Sequence, residues 1–158
     1  MEINDLIRPE WIRLDMEGES REEVIRALAG ILDRSGILSD KEQYLADVFE
    51  REKMGSTAIG FDVAIPHGKS RGVKEPAVAF ARLTRPIRWE PGKEEQARLI
   101  FLIAVPKEKE GNEHLQILAA LSRKLIDESF RRRLLEISSP EEVIQSLQNG
   151  SQPRNIQS

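Results

Sequence analysis

Apolar positions three and four residues apart mark the first helices of the chain. Val24, Ile25, Leu28, Ile31 and Leu32 share one helical face, and Gly36 lies just past its end. Tyr44, Leu45, Val48 and Phe49 mark a second helix that stops near Gly55. Both carry a start signal: Ser20 with Glu23, and Ser39 with Glu42. That is the spacing of a capping box, in which the hydroxyl accepts from the third amide and the carboxylate reaches back. Ser139 with Glu142 repeats it. Pro140 follows at the one helical position that loses nothing without an N–H, and a last helix runs from there to about Gln148. A further helix starts at Asn112 or Glu113 and places Leu115, Leu118, Leu121 and Leu125 inward. A short one follows from about Glu128.

The middle of the chain has a different pattern. Leu99 to Val105 is short and continuously apolar, as in a central strand covered on both faces. Ala77 to Leu83 reads as a strand despite its alanines, and shorter strands fit Trp11–Leu14, Val63–Ile65 and Ile87–Trp89. Helices at both ends of such a chain can cover both faces of a sheet. The expected fold is α/β (of α+β type), one domain over 1–148 with a mixed sheet flanked by helices on both faces. Strands and helices do not alternate strictly, which argues against a simple doubly wound fold. The polar stretch 149–158, with Gly150 and Pro153, reads as a disordered tail.

Composition narrows the classes. The 158 residues include 39% hydrophobic and 32% charged residues and suit a single domain with its own core. The net charge is −3, and no basic block is long enough for a nucleic-acid footprint; Arg131-Arg132-Arg133 falls on a helix and reads as a solvated face. The absence of cysteine excludes disulfides, thiolate catalysis and Cys-based zinc sites. The start of the chain lacks the apolar run of a secretory signal, and no stretch has the length of a membrane span. These features lead to the expectation of a cytoplasmic protein without direct membrane insertion.

Two histidines carry the candidate chemistry. His67 lies in Ala64-Ile65-Pro66-His67-Gly68-Lys69, where Pro66 holds Ile65 extended and Gly68 allows close approach. This presents an imidazole just after a strand on a constrained turn, although the hexapeptide alone fits a surface histidine on a polar loop better. His114 opens a helix and shares a face with Leu118, Leu121 and Leu125, so it also fits a helix-terminal residue at the core edge. Arg51 ends the second helix and precedes a loop with Gly55, Ser56, Thr57 and Gly60. Such a loop can offer N–H groups to an oxyanion, and an arginine can clamp phosphate; it also fits an ordinary basic helix end. A metal site would need a third ligand, and no P-loop or nucleophile elbow is present.

Taken together and in order, these segments resemble the fructose/mannitol class of enzyme IIA of the bacterial phosphoenolpyruvate-dependent sugar phosphotransferase system. The resemblance runs from about Leu6 to Leu147, with the fructose type closest. It is carried by Arg51-Glu52-Lys53-Met54-Gly55-Ser56-Thr57, Val63-Ala64-Ile65-Pro66-His67-Gly68-Lys69, Val73-Lys74-Glu75-Pro76-Ala77, Phe101-Leu102-Ile103-Ala104-Val105-Pro106 and Gly111-Asn112-Glu113-His114-Leu115. It implies that His67 accepts a phosphoryl group from the phosphocarrier HPr and that His114 lies beside it. It also implies that Arg51 binds the phosphate, with Ser56 and Thr57 in the phosphate-binding loop. The group would pass to an enzyme IIB domain and then to sugar entering through a membrane enzyme IIC, with no metal or cofactor. An apolar patch around His67, rimmed by polar groups, is expected for two transient partners using one face. The nitrogen-regulatory relatives share the Arg51-to-Lys69 pattern and signal by binding other proteins, which leaves a regulatory role as the alternative. Two positions depart from the family's frequent glycines. Ala58 is expected to restrict the loop, and Asp62 to bring negative charge near the phosphate.

Overall fold

Two long strands, paired antiparallel, form the middle of the molecule: β5 (Ala77–Arg88) and β6 (Gln96–Pro106). The computed structural model describes residues 2–107 and 113–150, with the side chains of 113, 114, 149 and 150 outside the description. β1 (Ile12–Met16) lies parallel to β5 on one side. On the other side β3 (Val63–Ala64) and β4 (His67–Ser70) both run parallel to β6, and β2 (Ala58–Gly60) pairs with β3 antiparallel. The order β1-β5-β6-β3-β2, with β4 also on β6, makes a mixed sheet of six strands.

The central strands are buried on both faces, so alternate residues enter two separate cores. Ala77, Ala79, Ala81, Ile100, Leu102 and Ala104 face α1 (Arg21–Arg34) and α2 (Lys41–Met54). Val78, Phe80, Leu99, Phe101, Ile103 and Val105 face α3 (Glu113–Leu125), α4 (Glu128–Glu136) and α5 (Pro140–Gly150). The alanines of β5 have low strand propensity but keep their place, because a ladder on each side and burial outweigh it. Their small size also lets α1 lie close to the sheet.

Local signals hold with adjustments. Ser20 caps α1 by accepting from the Glu23 amide, while Glu23 reaches back to Glu19 N. α1 ends in a Schellman turn: Gly36 has φ +81°, Gly36 N–H donates to Asp33 O, and Ile37 N–H donates to Leu32 O. At α2 the cap is Asp40, which accepts from Gln43 N, and Ser39 instead donates to Arg71 O. The expected Ser39 box is therefore displaced by one residue, since a carboxylate one step later caps the next amide, Gln43 N. Trp11 belongs to a 3₁₀ turn (Pro9–Trp11) rather than to β1, and its indole N–H donates to Ser35 Oγ at 2.8 Å. Ala77–Leu83 and Ile87–Trp89, expected as two strands, form one strand through Arg88 with a shift of register between Arg82 and Ile87. Leu115 was expected inward but is 53% exposed; Ile117 takes its place in the core. The stretch 151–158 of the expected tail lies outside the described residues, and α5 continues to Gly150.

Helix α2 sits unusually close to β4. A Cβ on Gly68 would stand 2.8 Å from Val48 Cγ2 and 3.3 Å from Tyr44 Cε1. The fully buried Tyr44 hydroxyl donates to Ile103 O at 2.8 Å, and burial pushes its pKa well above the usual tyrosine value, so it remains a donor. The β2–β3 connection is a tight turn with Phe61 and Asp62 at φ +60° and +62°. Ala58 lies outside this region, in the ladder opposite Ala64, so it imposes no backbone penalty on the loop.

Two predictions follow from this packing. Gly68→Ala should lower unfolding free energy by about 1–3 kcal/mol, as overpacking at a rigid contact does, read by urea denaturation. Asp62→Ala should lower the urea midpoint at unchanged slope, because φ +62° costs an ordinary L-residue about 1–2 kcal/mol and aspartate tolerates it.

Candidate functional site

His67 reaches its position because the chain beside β6 is interrupted. Val63 and Ala64 pair with Leu99 and Ile100, and pairing resumes with His67 opposite Ile103. Pro66 lies in the gap, where it has no N–H to give a ladder. Its carbonyl accepts from Ile103 N at 3.0 Å and brings the chain back onto β6. His67 therefore opens a strand, rather than sitting on a free turn after one. Period-two alternation then sends Gly68 toward α2 and turns His67 and Lys69 the other way.

Around the imidazole lies a cleft of about 550 Å³ between the end of α2 and the start of α3. Asp47, Glu50, Arg51 and Met54 line it from α2, Ile65, His67, Gly68 and Lys69 from the chain beside β6, and Leu115 and Leu118 from α3. The expected apolar patch is present: Met54 and Leu115 are largely exposed, with acids and bases around them.

The ring has a defined tautomer. His67 Nδ1 is 2.8 Å from the carbonyl oxygen of Ile65. A carbonyl only accepts, so Nδ1 carries the proton and Nε2 carries the free lone pair. Burial holds the His67 pKa below the usual imidazole value; the Ile65 hydrogen bond opposes this, Arg51 adds to the lowering, and Glu52 acts upward. Desolvation dominates, so the ring is neutral at neutral pH, with its Nε2 lone pair unprotonated. Arg51 donates from Nη1 to Gly55 O at 2.8 Å, across the C-terminal end of α2. This uses one of five N–H donors and places the cation in the same cleft as His67.

The other expected groups are placed differently. Thr57 is buried and its hydroxyl donates to Glu52, so it does not face the cleft; the expected phosphate contact from this side chain is corrected to an internal support. Ser56 Oγ accepts from Ala58 N at 3.0 Å and is not among the residues lining the cleft. Asp62 is likewise absent from that lining. His114 occupies the first turn of α3, one residue before Leu115, and its imidazole lies outside the described residues. The basic run on α4 does structural work: Arg131 stacks 4.0 Å above the Phe61 ring and Arg132 pairs with Glu128.

Glu52 went unnoticed in the sequence. Its carboxylate is buried and accepts from Arg21 Nη1, Trp89 Nε1, Thr57 N and Thr57 Oγ1. A signal was present: Glu52 falls four residues after Val48 and seven after Leu45, on the core stripe of α2. A carboxylate there needs several partners.

Comparison with known proteins agrees with this geometry. The family described as phosphoenolpyruvate-dependent sugar phosphotransferase system, EIIA 2, matches residues 5–150. The PTS system fructose-specific EIIA component of Haloferax volcanii is 38% identical over 146 residues, 90% of this chain and 94% of that protein. Two other curated relatives match more than nine-tenths of this chain, which spans only 24% and 22% of their length. Among solved structures, nitrogen regulatory protein IIA-Ntr from Neisseria meningitidis superposes with a TM-score of 0.82 at 35% identity, covering 92% of this chain and 98% of that one. Enzyme IIA mannitol, in its complex with phosphorylated enzyme IIB mannitol from Escherichia coli, gives 0.78 at 30% identity, covering 91% and 99%. No helix among the described residues is long and apolar enough to cross a membrane. With the mixed sheet, the neutral imidazole and the arginine in one cleft, the chain belongs to the EIIA 2 family of the phosphoenolpyruvate-dependent sugar phosphotransferase system.

Proposed function

We propose that the chain is a phosphoryl relay in which Nε2 of His67 accepts the group from phospho-HPr and gives it to an enzyme IIB domain. The observation that carries the reading is the ring itself, neutral, held through Nδ1 by the Ile65 carbonyl, with Nε2 left free. Phosphoryl transfer asks little of a protein beyond an in-line nucleophile and positive charge around the equatorial oxygens. As the bond from Nε2 to phosphorus forms, the bond from phosphorus to the donor breaks, and no proton has to leave the ring. The Nδ1–H bond to Ile65 O then stabilises the charge that develops on the imidazole. Arg51 supplies positive charge through the N–H donors that it does not spend on Gly55 O. His114, at the start of the helix that lines the cleft, is the proposed second imidazole. Metal and cofactor play no part in this scheme.

The mannitol IIA–IIB complex supports an enzyme IIB acceptor, and the Haloferax relative supports a fructose-type sugar; entry of that sugar through a membrane enzyme IIC belongs to the same proposal. The reading carries with it a cytoplasmic location. The IIA-Ntr superposition favours a second reading, in which the phosphorylation state governs binding to other proteins. Transfer from the phosphorylated chain to an enzyme IIB cysteine separates the two: transport requires it, and the regulatory reading does not.

Incubation with phosphoenolpyruvate, enzyme I and HPr should place one acid-labile, base-stable phosphate on the chain and none on His67→Ala. Stoichiometric labelling of that variant would overturn the assignment. Arg51→Ala should slow uptake by about 100-fold, the scale of losing one strong donor to developing charge. His114→Ala should still accept phosphate and pass it on slowly.

The ring should also titrate in the direction its burial dictates. A lowered pKa means that at pH 6.5, where a free imidazole is half protonated, His67 is still mostly neutral. Its protonation midpoint, followed by ¹⁵N NMR, should lie below 6.5 and rise in Arg51→Ala, which removes one of the lowering causes.

A further inference from the structure

We infer that Glu52 and Thr57 are positioning residues for His67, acting through an unbroken run of hydrogen bonds from a buried carboxylate to the imidazole. The inference rests on His67 being the phosphoryl acceptor. The run starts at Glu52, which Arg21 at the start of α1 holds at 3.2 Å and the indole of Trp89 holds at 3.3 Å. The same carboxylate accepts the amide of Thr57 at 3.4 Å and the Thr57 hydroxyl. Thr57 in turn offers its carbonyl to Ile65 N–H at 3.0 Å. The Ile65 carbonyl then accepts His67 Nδ1–H at 2.8 Å.

Each bond constrains the next for a geometric reason. Ile65 precedes Pro66, which already limits it to extended conformations. Fixing its N–H on Thr57 removes much of the remaining freedom of the residue and so aims its carbonyl. That carbonyl selects the tautomer of His67 and the ring angle, and therefore the direction of the Nε2 lone pair. Ile65 itself is nearly buried, and Pro66 has no N–H with which to substitute.

A second branch leaves the same carboxylate. Thr57 ends the short loop that begins at Gly55, whose φ is +154° and whose carbonyl holds Arg51. With Glu52 gripping Thr57 at one end of this loop, and Glu52 O accepting Gly55 N–H at 3.2 Å at the other, one residue sets both the nucleophile and the cation. Misplacing a reacting group by about 1 Å costs as much as 100-fold in rate, so such support has a kinetic signature.

The test compares wild type, Thr57→Val, Thr57→Ser and Glu52→Gln, each unphosphorylated and then with phospho-HPr. Two-bond ¹H–¹⁵N spectra at pH 8 read the His67 tautomer, and stopped reactions read the rate and extent of uptake. Wild type should show the Nδ1–H tautomer. Thr57→Val and Glu52→Gln should show a mixed tautomer and uptake slowed roughly tenfold or more in kcat, with KM for phospho-HPr and the final one phosphate per chain unchanged. Thr57→Ser, which keeps the hydroxyl, should restore both readings. Glu52→Gln should also lower the protonation midpoint of His67, because the lost carboxylate acts upward on it. Wild-type tautomer and rate in Thr57→Val and Glu52→Gln would overturn the inference, as would Thr57→Ser behaving like Thr57→Val. If Thr57→Val does not fold, Glu52→Gln decides alone by the same two readings. Wild type that takes up no phosphate would sink the relay reading instead, while the tautomer spectra would still report on the run of bonds.

Discussion

The site depends on how closely helix α2 approaches the edge strand β4. Gly68 has no side chain, so Val48 and Tyr44 lie directly over its backbone. Gly72 does the same under Asp40 and Tyr44, at the start of the helix. The Tyr44 hydroxyl then locks the axial position of the helix through a buried bond to Ile103, the residue that β6 pairs with His67. A helix fixed this way carries its last turn to a set place, and that turn bears Arg51, Glu52 and Met54. Proximity of Arg51 to His67 is thus a consequence of packing one to two turns before it, at Val48 and Tyr44.

The second constraint is the break in the chain beside β6. A continuous strand from Val63 to Ser70 would give every backbone N–H on one side to the ladder. The break at Ile65-Pro66 leaves Pro66 without an N–H for β6, and the Ile65 carbonyl, on the side where Ile65 N–H meets Thr57, accepts from the imidazole. It also leaves β4 at a sheet edge, where a side chain can meet residues from helices on both faces. Arg51 from one face and Leu118 from the other share the cleft for this reason.

Electrostatically the site opposes protonation of the ring. Burial outweighs the Ile65 carbonyl and Glu52, which both stabilise the imidazolium. The ring remains neutral, and Arg51 places its guanidinium in the same cleft. The carboxylate of Glu52 is kept from the cleft by its own donors, Arg21, Trp89 and Thr57, so it supports the site from behind.

What the residues by themselves determined was local or carried by pattern. The cap at Ser20, Pro140 at the start of α5, the stop at Gly36 and the apolar run in β6 act within a few neighbours, and each is where its spacing put it. The fold class followed from the same periodicities, and the ordered motifs from Arg51 to His114 singled out the imidazole of His67. Tertiary structure alone decided the rest. Whether β3 and β4 pair with β6, whether Ile87 belongs to β5, and whether Leu115 faces in or out depend on partners distant in sequence. Asp40 displaced Ser39 as a cap because Ser39 found a partner at Arg71. Thr57 read as a phosphate ligand because its hydroxyl sits in a glycine-bounded loop. Its partner Glu52 is held by Arg21 and Trp89, 31 and 37 residues away, and no local rule joins those positions. A hydrogen bond is chosen by what is near in space, and only the folded sheet brings those groups together.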